Sequence, residues 1–192
     1  MDSVVQIFEM DAALFQWVNQ GLSNAFFDAI LPHFRNKYFW IWLYIILIAL
    51  AFKKDKKSWI MLLLAALIVF MCDGISAGII KPYVMRIRPC NDPNMQGGLN
   101  LLVPCGSGYS FVSAHAANHF GLAMLFGGYF SRWFPKIRVY ALSITWAFLI
   151  ALAQVYVGVH YPFDVIFGAL IGILIGGWIW KIFKPVFRES QP

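Results

Sequence analysis

The stretch VYVGVHYPFD, residues 155–164, joins two long apolar runs, 137–158 and 163–183. Each run is long enough to cross a hydrocarbon layer of about 30 Å as a helix rising about 1.5 Å per residue. Only a tight turn fits between them. That turn brings His160 and Asp164 four residues apart, with Pro162 between them. Ionisable groups are costly at a membrane, so a pair of them at the end of a helical hairpin implies a task.

The rest of the chain has the same character. Of 192 residues, 60% are hydrophobic and only 12% charged, and the mean hydropathy is +0.68. A soluble domain this short cannot bury so much apolar surface. The expectation is an all-α, polytopic membrane helical bundle in a single domain, 1–192. Five transmembrane helices are predicted, at Tyr38–Phe52, Ser58–Ile80, Phe111–Phe130, Ile137–Gly158 and Phe163–Phe183, within a catalytic core at 36–184. Residues 1–34 differ. Their apolar positions recur at helical spacing but are interrupted by Asp11, Asn19, Asn24 and Asp28. That pattern suits amphipathic interfacial helices, with a poorly inserted sixth span as the alternative. The N-terminus MDSVVQIFEMDAALF has no basic n-region and does not read as a cleaved signal peptide.

The net charge of +6 could suggest nucleic acid, but most basic residues sit at the ends of apolar runs and set topology instead. With alternating spans, KKDKK (53–57), SRWFPKIR (131–138), Lys181, Lys184 and Arg188 share one side, which is then cytoplasmic. Arg35, Lys37, Lys81, Arg86 and Arg88 lie on the other. Three of these crowd into KPYVMRIR, where basic residues are normally sparse. Cys90 and Cys105 bracket a loop on that outer side and could pair in an oxidising compartment; Cys72 reads as a small core residue. Gly168, Gly172, Gly176 and Gly177 in the last span suit close helix packing.

Three polar clusters share the outer side: Lys81 with Arg88; Ser113, His115, Asn118 and His119; and His160 with Asp164. If the Lys81 stretch is helical, a spacing of seven returns both cations to one face, with Arg86 well off it. A helix starting near Ser113 and Ala114 offers free N–H groups to an anion. Two cations and a helix N-terminus fit a phosphate. A neutral His160 can attack phosphorus, Asp164 can orient its ring, and His115 can protonate the leaving oxygen.

These residues resemble the motifs of the type-2 phosphatidic acid phosphatases, the lipid phosphate phosphatases that share an active site with the vanadium haloperoxidases. The family's Lys, six residues, Arg-Pro matches Lys81 to Arg88-Pro89. Its Pro-Ser-Gly-His matches Val112-Ser113-Ala114-His115, and its Ser-Arg, five residues, His, three residues, Asp matches Ala153-Gln154, His160 and Asp164. The resemblance covers roughly residues 58–184. It implies a metal-independent phosphatase without cofactor. His160, His115 and Asp164 would be catalytic, and Lys81, Arg88, Ser113, Ala114 and Gln154 would bind phosphate. The family has an arginine where Gln154 stands; the uncharged amide should hold phosphate less tightly.

The implied partners are a membrane lipid phosphate as substrate and the bilayer lipids. The expected setting is a bacterial inner membrane with the site on the periplasmic face. Undecaprenyl diphosphate is the leading substrate; phosphatidic acid, phosphatidylglycerol phosphate and a lipid A phosphate are alternatives, as is a lipid phosphotransferase. Other readings stand beside this one. His115 and His119 at i, i+4 suit a metal, although no Glu follows His115 as in a zinc protease. Asp164 could serve only as a helix-start residue. Asp73, His115 and His160 could form a transporter's proton path.

Overall fold

The computed structural model describes residues 2–95 and 97–188, and among them there are helices and turns but no strand. Eight α-helices follow in order: α1 (Asp2–Gln16), α2 (Ala25–Arg35), α3 (Ile41–Lys54), α4 (Ser58–Asp73), α5 (Lys81–Val84), α6 (Ala114–Phe130), α7 (Lys136–Tyr156) and α8 (Pro162–Arg188). A π-helical turn, Gly74–Ile80, carries α4 on into α5.

By length and composition, Ser58–Met95, α7 and α8 can each cross a membrane, and α2 with α3 forms a fourth candidate bent by 78°. The first expected span, Tyr38–Phe52, lies within the helical segment Lys37–Lys54 and meets α2 at a corner; α3 itself has 14 residues, about 21 Å. Asn36 makes that corner. It ends α2 in an extended conformation, and its side chain accepts from Tyr38 N to start the next turn. Of the expected third span, Phe111–Phe130, only Ala114–Phe130 is helical; this is the 17-residue α6, about 26 Å long, shorter than the helices that qualify as candidate spans.

α6 is the central helix, buried on most of its circumference by α4, α7 and α8. Ser113 caps it, its Oγ accepting from Ala116 N. Alanines at 114, 116 and 117 supply helix propensity without bulk. Against α6 lies α8, and three glycines one turn apart set their separation. A Cβ at Gly168 would lie 2.4 Å from Ser113 O, at Gly172 2.2 Å from Ala117 O, and at Gly176 2.2 Å from Gly121 O. No side chain fits there. The two backbones touch, and dispersion across the contact holds them in lipid, where no hydrophobic effect assists. Gly177 faces elsewhere, with only the flexible end of Met124 nearby.

The opposite end is tied by polar bonds. Arg132 bridges Asp55 (2.8 Å) and Phe187 O (2.9 Å), and Lys57 reaches Val186 O at 3.3 Å. These contacts bring the three predicted cytoplasmic basic clusters together.

Gly172→Ala is expected to cost about 1–3 kcal/mol by overpacking against fixed backbone, whereas Gly177→Ala should be nearly neutral. Thermal unfolding of the two variants in detergent checks this; equal midpoints would mean that the backbone contact does not limit the packing.

Candidate active site

The turn quoted at the outset forms as its residues demand. α7 ends where Gly158 takes φ +88°, a left-handed conformation that glycine adopts without steric penalty. Gln154 O accepts from Val159 N (3.3 Å) and His160 N (3.2 Å), which closes the helix end. Pro162 then starts α8. His160 is left in the turn, outside both helices and 3% exposed.

The partners of His160 define its tautomer. An Arg88 guanidinium N–H donates to Nε2 at 3.1 Å. A guanidinium can only donate, so Nε2 holds a lone pair and the proton sits on Nδ1. Nδ1 faces Asp164 Oδ2 and Ser110 Oγ, each at 3.4 Å. Burial pushes the imidazole down to about 4, against the pull of Asp164 and with a push from Arg88 and Lys81. His160 is thus neutral at physiological pH.

Asp164 is fully buried and saturated with donors. Oδ2 accepts from Tyr161 N at 2.8 Å and from Ser110 Oγ, and Oδ1 accepts from Arg86 at 2.8 Å. It therefore starts α8 and orients His160 at once. Its own carbonyl accepts from Ser113 N at 2.8 Å, directly linking the second and third polar clusters.

The first cluster arrives differently from the expected single helical face. α5 stops at Val84 because Met85 takes φ 51°, its N–H bonding Lys81 O at 3.0 Å. Beyond it the backbone is extended, and Ser110 N bonds Arg86 O at 2.7 Å. Arg88 reaches the site through this segment and also donates to Val159 O (3.1 Å) and Gly108 O (3.2 Å). The Cys90–Cys105 disulfide, Cα to Cα 5.9 Å, closes the loop that follows. Electrostatic interactions connect Lys81 with Arg88 and Asp164, and His115 with His160 and Lys81. The three clusters of the sequence are one cluster in space.

The remaining expected residues fall around it. Ala114 opens α6. His119 donates from Nδ1 to His115 O at 2.7 Å, and the two rings stack with centroids 6.3 Å apart. Among the described residues no third His, Cys, Asp or Glu joins this pair as a metal set. Asp73 accepts from Asn118 at 2.9 Å, a bond between α4 and α6.

A family model described as the PAP2 superfamily matches residues 58–188. The chain belongs to the PAP2 superfamily. It is 31% identical to a lipid A 4'-phosphatase of Bacteroides thetaiotaomicron, over 90% of this chain and 76% of that protein. It is 33% identical to an undecaprenyl-diphosphatase of Sulfolobus acidocaldarius, over 73% of this chain and 60% of that protein. Among solved structures, Aquifex aeolicus LpxE superposes with a TM-score of 0.65 at 28% identity, covering 88% of this chain and 93% of that one. Like its PAP2 relatives, the protein is an integral membrane phosphatase.

Relative to the PAP2 motifs, sequence reading missed several members of the site. Arg86, read as off the cationic face, bridges Asp164 and Asp11, the latter at 2.6 Å, and stacks over Tyr161 at 3.9 Å. Asp11 is fully buried and accepts from Phe163 N at 2.9 Å. Asn19 bonds Asn100 O (2.8 Å) and Tyr156 O (2.7 Å), and Tyr156 donates to Asp28 at 2.6 Å. Asp11, Asn19 and Asp28 thus tie the N-terminal segment to the rest of the protein, while the Asn24 side chain caps α2. Their presence in an otherwise apolar stretch was the available signal. Gln154 is fully buried, and its Oε1 accepts from Arg35 Nε at 3.2 Å.

Arg86→Met leaves two buried carboxylates without their cation and is expected to cost about 3–5 kcal/mol. It should also loosen α1. Thermal unfolding in detergent, with limited proteolysis of the N-terminal segment, reads both effects.

Proposed function

We propose that the protein hydrolyses a lipid phosphomonoester of the lipid A type through a phosphohistidine on His160. The observation that carries the mechanism is the His160 tautomer: a buried neutral imidazole with Nδ1–H toward Asp164 and an unprotonated Nε2 that accepts from Arg88. In the reaction a phosphoryl oxygen replaces Nε2 as the acceptor of Arg88. The lone pair then forms the N–P bond as the P–O bond to the lipid breaks. Asp164 balances the charge that develops on the phosphorylated ring, and Lys81, Arg88 and the α6 N-terminus stabilise the equatorial oxygens. Neutral His115 next takes a proton from water, whose oxygen attacks phosphorus. The N–P bond breaks and inorganic phosphate leaves.

The substrate reading follows similarity and shape. The lipid A 4'-phosphatase match spans 90% of the chain, so it must reach into the N-terminal helices that border the site. The undecaprenyl-diphosphatase match spans 73%. This shifts the preference from undecaprenyl diphosphate to a lipid A phosphate. A crevice of about 680 Å³ between α3 and α7, walled by Trp40, Leu43, Trp146 and Leu149 among others, suits acyl chains. Five membrane crossings with an extracytoplasmic site agree with the Arg132 and Lys57 ties at one end and the Cys90–Cys105 disulfide at the other.

The deciding experiment is phosphate release by purified protein from a panel containing lipid A, undecaprenyl diphosphate and phosphatidylglycerol phosphate. Lipid A should be turned over best, EDTA should not inhibit, and His160→Ala should be inactive yet folded. Preference for the diphosphate would reinstate the other substrate, and full activity of His160→Ala would end the nucleophile assignment.

The pH profile is a separate check. A nucleophile whose protonation is pushed down from 6.5 to about 4 stays available as the medium is acidified. The acid limb of kcat/KM should therefore fall well below pH 6. A limb near 6.5 would contradict a buried neutral His160.

A further inference from the structure

Arg35 ends α2, at the corner with α3, 119 residues from Gln154 in sequence. Its Nε donates to Gln154 Oε1 at 3.2 Å. Its two terminal nitrogens have no hydrogen-bond partner and no carboxylate among the described residues. Arg86, by contrast, is spent on two carboxylates. The charge of Arg35 is felt at Arg88 and at His115, so it belongs to the same cluster. Lys81, Arg88 and Arg35 form no direct salt bridge among the described residues, and Arg88 is repelled by both of the others, a repulsion that an anion between them would relieve. The amide beneath Arg35 is also incomplete: Gln154 is fully buried, and its Nε2 finds no partner. A buried donor left unmade is costly, and this one sits on the residue whose carbonyl holds His160 N at 3.2 Å.

We propose that Arg35 is a phosphate-binding residue of this site, aimed by Gln154, with Gln154 Nε2 as a further neutral donor to the same phosphate. This rests on the phosphatase reading above. The guanidinium plane keeps both terminal nitrogens free for a bidentate grip on two phosphoryl oxygens. Because the cation is carried by the N-terminal segment, that segment is part of the anion site and not only a membrane contact. Position 154 is one hydrogen bond from the Arg35 guanidinium, so an arginine there can reach the same space from α7. Both arginines together would crowd like charges.

The test uses the full chain in detergent, with orthovanadate as the phosphoryl mimic and a lipid phosphomonoester as substrate. Arg35→Gln exchanges a charge-assisted bond for a neutral one and should weaken vanadate inhibition and raise KM about tenfold. Arg35→Lys should fall between. The transposition Arg35→Gln with Gln154→Arg should recover most of the loss, while Gln154→Arg alone should weaken binding. Vanadate binding is read in parallel as thermal stabilisation, with the unliganded midpoint as the folding control. Wild-type KM and vanadate affinity in Arg35→Gln would overturn the proposal. So would a loss that the transposition does not rescue and that tracks a lowered unliganded midpoint, because Arg35 would then be only structural. No turnover of any lipid phosphate by the wild type, with vanadate binding still dependent on Arg35, would count against the hydrolase reading and support this one.

Discussion

The contact on which the site depends contains no catalytic atom. α6 and α8 meet backbone to backbone at Gly168, Gly172 and Gly176. That separation lets Ser113 N reach Asp164 O at 2.8 Å, and it fixes the start of α6 beside the start of α8. His115, one position into α6 beyond Ala114, and His160, just before α8, are thereby held at the same level. A larger residue at any of the three glycines pushes the helices apart and moves two of the three polar clusters relative to each other. In lipid, close approach of backbones is also the main source of helix association, so stability and site geometry share one cause.

The buried carboxylates around that contact are both claimed by one cation. Asp164 takes Arg86, and Arg86 takes Asp11 in turn. The chain of three spans the N-terminal helix, the extended segment after α5 and the start of α8. A buried ion pair is weak evidence for stability by itself, but removing one partner is costly. Here it works as a geometric tie. It locks α1 over Asp164, the carboxylate that faces His160, and commits Arg86 to two carboxylates. Asn19 and Asp28 add neutral and charged ties to the same segment.

Reactivity then follows from which donors remain. Arg88 bonds Nε2 of His160 and two backbone carbonyls, so it orders the ring and ties the turn to the segment after α5. The PAP2 relatives place this chain among membrane phosphatases. Its own departure from the motif, Gln154, becomes intelligible once Arg35 is seen against it.

The sequence by itself determined what depends on local spacing. Apolar runs near 20 residues foretold membrane helices, the i, i+4 pair His160 and Asp164 foretold a coupled acid and imidazole, and the spaced glycines foretold a close packing face. Each is set by helix pitch or by hydropathy, which neighbours in sequence suffice to express. Tertiary structure decided the rest. Lys81 and Arg88 converge through a helix end at Met85 and an extended segment, not along one helical face. Arg86 finds Asp164 at a separation of 78 residues, and Arg35 finds Gln154 at 119. Hydropathy cannot distinguish a charge that sets topology from one that closes a site. That difference is made by which buried carboxylate or amide the packing brings within about 3 Å of it.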